Sequence, residues 1–267
     1  MRLWLFNSAP KIRPCYEFFL AMNGRQLQSP VRSLTRSVQR LTTHGLCGLR
    51  FSLPAQFPML ESIAYPQVCQ MLMSATGQIR ANHELLSQLD AAVGDGDHGT
   101  TILRTMEAVA KAIEDNQSTK LNELLGKIAW AVMDCDGGST GPLLGSLFMG
   151  MGSAVGDKTD LDCAAVVAMF EAGILKLAKQ SRAVVGDKTM MDAFLPALDA
   201  MKAAASSGDI QNVLQQAAAA AAAGAEATKE FRAKFGRARN LGDRVIGHID
   251  PGAVSASLIL KGCSEAL

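Results

Sequence analysis

From Met59 to Leu267 the apolar residues recur at intervals of three and four, and that period leaves few folds open. It lines one stripe of an α-helix, whereas a half-buried strand alternates every second residue. The pattern predicts eight helices. The first runs from about 60 to 88, broken or entered at Pro66, and the next three cover Thr100 to Ile113, Leu121 to Met133 and Gly141 to Val155. The fifth spans Asp160 to Lys179, with Asp160 or Asp162 near its N-cap. The last three span Thr189 to Ala205, Ile210 to Phe235 and Gly252 to Leu267. No stretch reads as a convincing strand, and no period of 20–50 residues recurs, which excludes a solenoid. Ala, Leu and Met supply much of the apolar content and aromatics only 5% of the chain, which favours helices over sheets. The run Ala217 to Ala223 reads as a tightly packed inner helix, because alanine lets helices approach closely. The expected architecture is all-α, a single domain of up-down helices joined by short loops.

Residues 1–58 depart from this pattern. They carry eight Lys/Arg against one acid, Glu17, while residues 59–267 carry 18 basic against 24 acidic residues. An Arg- and Ser-rich, acid-poor start has the composition of an organellar transit peptide. The alternatives are a disordered extension or upstream sequence translated from a start set too early, and the regular pattern opening at Met59 favours these. The negative balance of the main domain argues against non-specific nucleic-acid binding. Six scattered cysteines with no CxxC pair read as reduced thiols of a cytoplasmic protein. No apolar run approaches the ~18–20 residues that span a bilayer.

The chemistry is concentrated between the helices. Asp90, Asp95 and Asp97 fall within eight residues, with Gly94, Gly96 and Gly99 set among them. Carboxylates this close repel unless a cation sits between them. Hard oxygen ligands of this kind suit Mg²⁺, which is held by a few carboxylates and by substrate phosphates. The loop runs into a helix start at Gly99-Thr100-Thr101, where free N–H groups and a partial positive charge favour a phosphate. A Ca²⁺ loop of the EF-hand type is excluded by spacing, and a plain Asp/Gly turn is a poor account of three carboxylates in this order.

Three further loops add to this. Gly137-Gly138-Ser139-Thr140-Gly141-Pro142 makes a nest of N–H groups for an anion, or an ordinary helix N-cap. Gly186-Asp187-Lys188-Thr189-Met190-Met191 offers a turn, a cap at Asp187 or Thr189, and methionines that suit either a purine face or the core. Gly236 to Gly252 supplies Arg237, suited to bidentate phosphate pairing, and Asp250-Pro251-Gly252 before another helix start. His98 and His248 are as readily structural as catalytic. No GxxxxGK[ST] occurs, which excludes a P-loop kinase.

GDGDHGTT, GGSTGPL, GDKTM and GRA…GHIDPGA, in this order over about residues 59–267, closely resemble the L subunit of dihydroxyacetone kinase. The resemblance implies an antiparallel eight-helix barrel with a nucleotide at one end and two Mg²⁺ ions bridging carboxylates and phosphates. It implies Asp90, Asp95 and Asp97 as the metal ligands and catalytic centre. ADP or ATP would be contacted by His98, Gly99, Thr100, Thr101, Ser139, Thr140, Met190, Arg237, Asp250, Pro251 and Gly252. A family glycine contact falls on Ser181, a departure.

The resemblance also implies that a separate K-type subunit carries dihydroxyacetone as a hemiaminal on a histidine, so that this chain supplies the phosphoryl donor. A homodimer is expected. Family members divide between ATP users and those whose bound ADP is rephosphorylated by a phosphohistidine carrier protein. A separate L chain leans toward the second class and the GDGDHGTT wording toward the first. Two other roles stay open: a nucleotide-dependent module acting on a transcription regulator, and a kinase subunit for a related ketose such as erythrulose.

Overall fold

The computed structural model describes residues 59–136 and 138–267. The expectations for residues 1–58 and for Gly137 lie outside the described residues.

Among the described residues eight α-helices follow one another: α1 Tyr65–Ala91, α2 His98–Glu114, α3 Leu121–Met133, α4 Thr140–Val155, α5 Cys163–Ser181, α6 Met191–Ala204, α7 Ile210–Ala227 and α8 Pro251–Glu265. Each packs on its neighbour in sequence, and α8 packs on α1, so the helices close into a ring. Short connections make consecutive helices run in opposite directions. The core lies inside the ring and includes Ile79, Leu86, Ile102, Met106, Leu125, Ile128, Leu144 and Phe194, all essentially inaccessible to water. Missing side chains close two of the seams. A Cβ on Gly262 of α8 would sit 2.5 Å from Ala75 Cα of α1, and one on Gly150 of α4 would sit 2.5 Å from Ala172 O of α5. Only glycine permits such an approach.

The boundaries differ from the periodicity at informative places. Pro66 opens α1 rather than breaking it, in the first turn where its missing N–H costs nothing. The segment before it, β1 (Ser62–Ala64), pairs antiparallel with β2 (Asp160–Asp162). The fifth helix therefore begins at Cys163, capped by Asp162, whose carboxylate accepts from Ala165 N at 2.8 Å. α7 stops at Ala227, and 3-10 turns occupy Thr228–Glu230 and Arg237–Val245. The alanine run turns only Ala217 and Ala221 inward, on one stripe with Ala225 beyond it, rather than being enclosed on all sides.

In an up-down ring every second connection lies at the same end. The connections α1–α2, α3–α4, α5–α6 and α7–α8 hold all four of the unusual loops. The others, with β1 and β2, lie opposite.

Candidate functional site

At the C-terminus of α1 the chain turns on Asp90, whose carbonyl accepts from Val93 N at 3.0 Å and Gly94 N at 2.5 Å. Gly94 is so close to the Asp90 carboxylate that a Cβ there would lie 2.4 Å from Oδ1. Gly96 then takes φ +79°, a left-handed turn that favours glycine. The carboxylates of Asp90, Asp95 and Asp97 converge, with one oxygen from each within 4.8 Å of the others. Asp90 is half-buried, and Asp95 and Asp97 are exposed. This donor set fits a hard divalent cation with room left for phosphate oxygens. The Arg237 guanidinium reaches the same carboxylates, hydrogen-bonding Asp95 Oδ2 and lying 3.4 Å from Asp97 Oδ2.

Helix α2 starts at His98, whose N–H donates to Asp90 Oδ2 at 3.2 Å. The start is wedged against α1, since a Cβ on Gly99 would be 1.9 Å from His83 O. The N–H groups of the first turn are thereby held next to the carboxylates, with Thr100 exposed and Thr101 buried. The His98 Nε2 lies 3.1 Å from Ser255 Oγ, and that hydroxyl donates to Gly252 O at 2.9 Å. Burial pushes the imidazole pKa down, against the pull of Asp90 and Asp97. His98 thus links the start of α2 to the start of α8.

In the second loop Gly138 has φ +56°, Ser139 is exposed and Thr140 is buried at the head of α4. Arg104 of α2 donates to Asp136 O at 2.8 Å and moors this loop beside the first.

The third and fourth loops are packed together. Met190 stands against Gly252, where an added Cβ would meet Met190 N at 3.5 Å. Met190 also lines a small apolar cavity with Ile102, Leu144, Phe194, Ser255 and Ile259. Asp250 caps α8 by accepting from Ala253 N at 2.7 Å. Desolvation pushes its carboxyl up to about 7, against its bond to Ala253 N and the nearby Lys188 charge. Neither Asp187 nor Thr189 alone closes the third loop. The Asp192 carboxylate joins them, accepting from Gly186 N at 2.5 Å and Thr189 N at 2.7 Å.

Of the residues singled out in the sequence, Asp90, Asp95, Asp97, His98 and Arg237 form one cluster. Met190, Asp250, Pro251 and Gly252 form a second, joined to the first through His98 and Ser255. Ser139 and Thr140 head the adjacent helix, tied in through Arg104. His248 is exposed. Ser255, Asp192, Lys188 and Thr228 were not singled out. A serine or aspartate inside a helix, or a lysine inside a turn, carries no local sign that a distant chain segment will bury it.

A ring of eight helices carries an acidic loop and several helix starts at one end, donor groups of the kind that suit a hard cation and phosphate oxygens. Residues 92–265 match the DAK2 domain, and the chain belongs to that family. Over 182 residues it is 33% identical to the "PEP-dependent dihydroxyacetone kinase 1, ADP-binding subunit DhaL" of Listeria innocua, covering 68% of this chain and 86% of that one. It is 35% identical over 195 residues to an "L-erythrulose 1-kinase" of Mycolicibacterium smegmatis, covering 71% of this chain but 34% of the relative. The fold is similar to the crystal structure of the dihydroxyacetone kinase from C. freundii in complex with AMP-PNP and Mg²⁺. The TM-score is 0.60 at 27% identity, over 90% of this chain and 38% of that one. None of the described helices is long and apolar enough to cross a membrane.

Proposed function

We propose that this chain is the nucleotide-binding subunit of a dihydroxyacetone kinase. It would hold Mg²⁺ with ADP or ATP and deliver a phosphoryl group to dihydroxyacetone bound on a separate K-type subunit. The observation that carries the reading is the convergence of Asp90, Asp95 and Asp97 within 4.8 Å beside the wedged start of α2. The relatives support it: one named as an ADP-binding subunit covers most of its own length with this match, and the similar fold was solved with AMP-PNP and Mg²⁺.

Phosphoryl transfer asks a protein for positioning and charge neutralisation more than for a nucleophile. Magnesium, when bound, neutralises phosphate oxygens and stabilises charge on the leaving group. We assign Asp90, Asp95 and Asp97 to hold two such ions. The first-turn N–H groups of Gly99, Thr100 and Thr101, with Ser139 and Thr140, would orient the phosphates. Arg237 would pair with a phosphate oxygen. Met190, Asp250, Pro251 and Gly252 would place the base and ribose, and His98 would fix α2 against α8. The family model spans residues 92–265, and we take 59–267 as the domain. A phosphohistidine carrier as donor is the reading favoured by the relative named PEP-dependent, and a homodimer in the cytoplasm completes it. A second reading, erythrulose as the acceptor, is favoured by the relative named for that sugar.

Isothermal titration with Mg-ADP, on the wild type and Asp95→Ala, tests the proposal. Binding to the wild type and its loss in the variant are expected, and, with ATP or a phosphorylated carrier protein supplied as donor, phosphorylation of dihydroxyacetone only when a K-type subunit is added. Unchanged ADP affinity in Asp95→Ala would sink the metal assignment. Phosphorylation of erythrulose but not dihydroxyacetone would select the second reading.

A further inference from the structure

Lys188 lies in the middle of the α5–α6 connection, yet it is 2% exposed and has φ +61°. Both properties are unfavourable for a lysine. A buried ammonium must be paired and hydrogen-bonded to be tolerated, and a left-handed backbone at a non-glycine residue is strained. A methionine of similar volume would fill the space without burying a charge. What the ammonium does is join pieces of chain that are far apart in sequence. Its Nζ donates to Thr228 O at 2.5 Å, just after α7, and to His248 O, just before α8. The carboxylates of Asp250 and Asp192 supply the opposing charge.

Each segment it reaches is fixed further. Thr228 Oγ1 donates to Ala225 O at 2.6 Å and accepts from Asp250 N at 2.9 Å. Gly247 N donates to Lys229 O at 2.8 Å. The side chains of Asp187, Thr189 and Asp192 close the 184–191 turn among themselves, so that turn does not need the ammonium to hold its own shape. The ammonium sets where the turn sits relative to residues 247–252. Met190 follows Lys188 by two residues, and it meets Gly252 across this junction.

We propose that Lys188 is a positioning residue for the nucleotide, pinning the turn that carries Met190 to the segment that carries Asp250, Pro251 and Gly252. This rests on the nucleotide-site reading above and concerns the base and ribose end, not the metal end.

Two variants separate the ammonium from its backbone. Lys188→Met keeps the bulk and removes the donors, and Lys188→Gly also relieves the positive φ. Titrations would use Mn²⁺ alone, Mg-pyrophosphate and Mg-ADP. Both variants should lose about tenfold or more in ADP affinity, while Mn²⁺ and pyrophosphate stay within about twofold. Wild-type ADP affinity in Lys188→Gly would overturn the proposal, because the backbone alone would then suffice. Equal loss for ADP and pyrophosphate would overturn it too, since the effect would not be confined to the base end. If both variants unfold, hydrogen exchange in the nucleotide-free wild type decides. The amides of Gly247 and Asp250 should exchange as slowly as helix-interior amides, and exchange at open-loop rates would refute the pin. A wild type that binds neither Mn²⁺ nor ADP would defeat the functional reading instead, and the exchange rates would still judge the pin.

Discussion

At the end of the ring where residue 59 enters, the segments are stitched to one another. β1 lies on β2, Ile210 N reaches Leu60 O at 2.9 Å, Asn116 holds the Tyr65 hydroxyl at 2.8 Å, and Ile63 and Leu161 are sealed from water. At the other end, Asp95 and Asp97 face solvent, Gly94 is crowded against a carboxylate, and a lysine is buried with left-handed backbone. The same eight helices serve both ends, so the difference lies in the loops. Packing and hydrogen bonding can be optimised where nothing has to bind. A site for a highly charged ligand needs like charges close together and polar groups half-desolvated, which oppose folding. Strand pairing and sealed apolar contacts mark the clasped end, and exposed carboxylates mark the acidic end.

The largest effect is expected where the acidic end is itself rigid: Gly99→Ala drives a Cβ into the His83 carbonyl and should cost about 4 kcal/mol in denaturant unfolding. A loss under about 1 kcal/mol would mean that the start of α2 is loosely held. Next, Leu161→Ala opens a hole in the clasp and should lower unfolding free energy by about 3 kcal/mol, with ADP affinity unchanged. If ADP affinity falls instead, the two ends are coupled.

The third effect depends on pH. The Asp250 carboxyl is raised from 3.8 to about 7 by desolvation. The folded state therefore binds the proton more tightly than the unfolded chain. That stabilisation is complete below about pH 4 and is lost as pH climbs to about 7. Relative to Asp250→Asn, which keeps the cap, the wild type should lose on the order of 2 kcal/mol between those limits. Lys188, Asp192 and Asp90 face the same carboxyl, and His98, shifted the other way, cancels in the difference. A flat difference in paired melts from pH 4 to 7 would place Asp250 in contact with water. Fourth, Asp97→Asn should weaken Mn²⁺ binding about tenfold and leave the melting temperature unchanged or higher. A lower melting temperature would contradict the division between the ends. The smallest effect belongs to Trp130, 68% exposed in the last turn of α3. Trp130→Ser should alter stability by less than about 0.5 kcal/mol.

The helices were legible because each buries a stripe long enough to show its period, and the loops because glycines and aspartates punctuate them. The clasp was not. Ser62–Ala64 and Asp160–Asp162 are three residues each, too short for alternation to register, and their pairing is set by the ring that brings them together. The end of α7 was misplaced because the apolar pattern continues past Ala227, while the Thr228 side chain bonds back to Ala225 O and turns the chain away. In the candidate site, the carboxylates and helix starts could be read from local pattern. Lys188 and Ser255 act through partners 40 to 157 residues away, and no local pattern encodes such a partner.

The Arg237 guanidinium on Asp95 and Asp97 gives the acidic end its own counter-ion. On the proposed function, loading with a divalent ion would exchange one cation for another, and its apparent affinity would be set against an internal competitor. The displaced guanidinium would be freed beside the helix start to which the proposed function assigns the phosphates. Metal and nucleotide should therefore each tighten the other's binding, and by the same factor, as linkage requires.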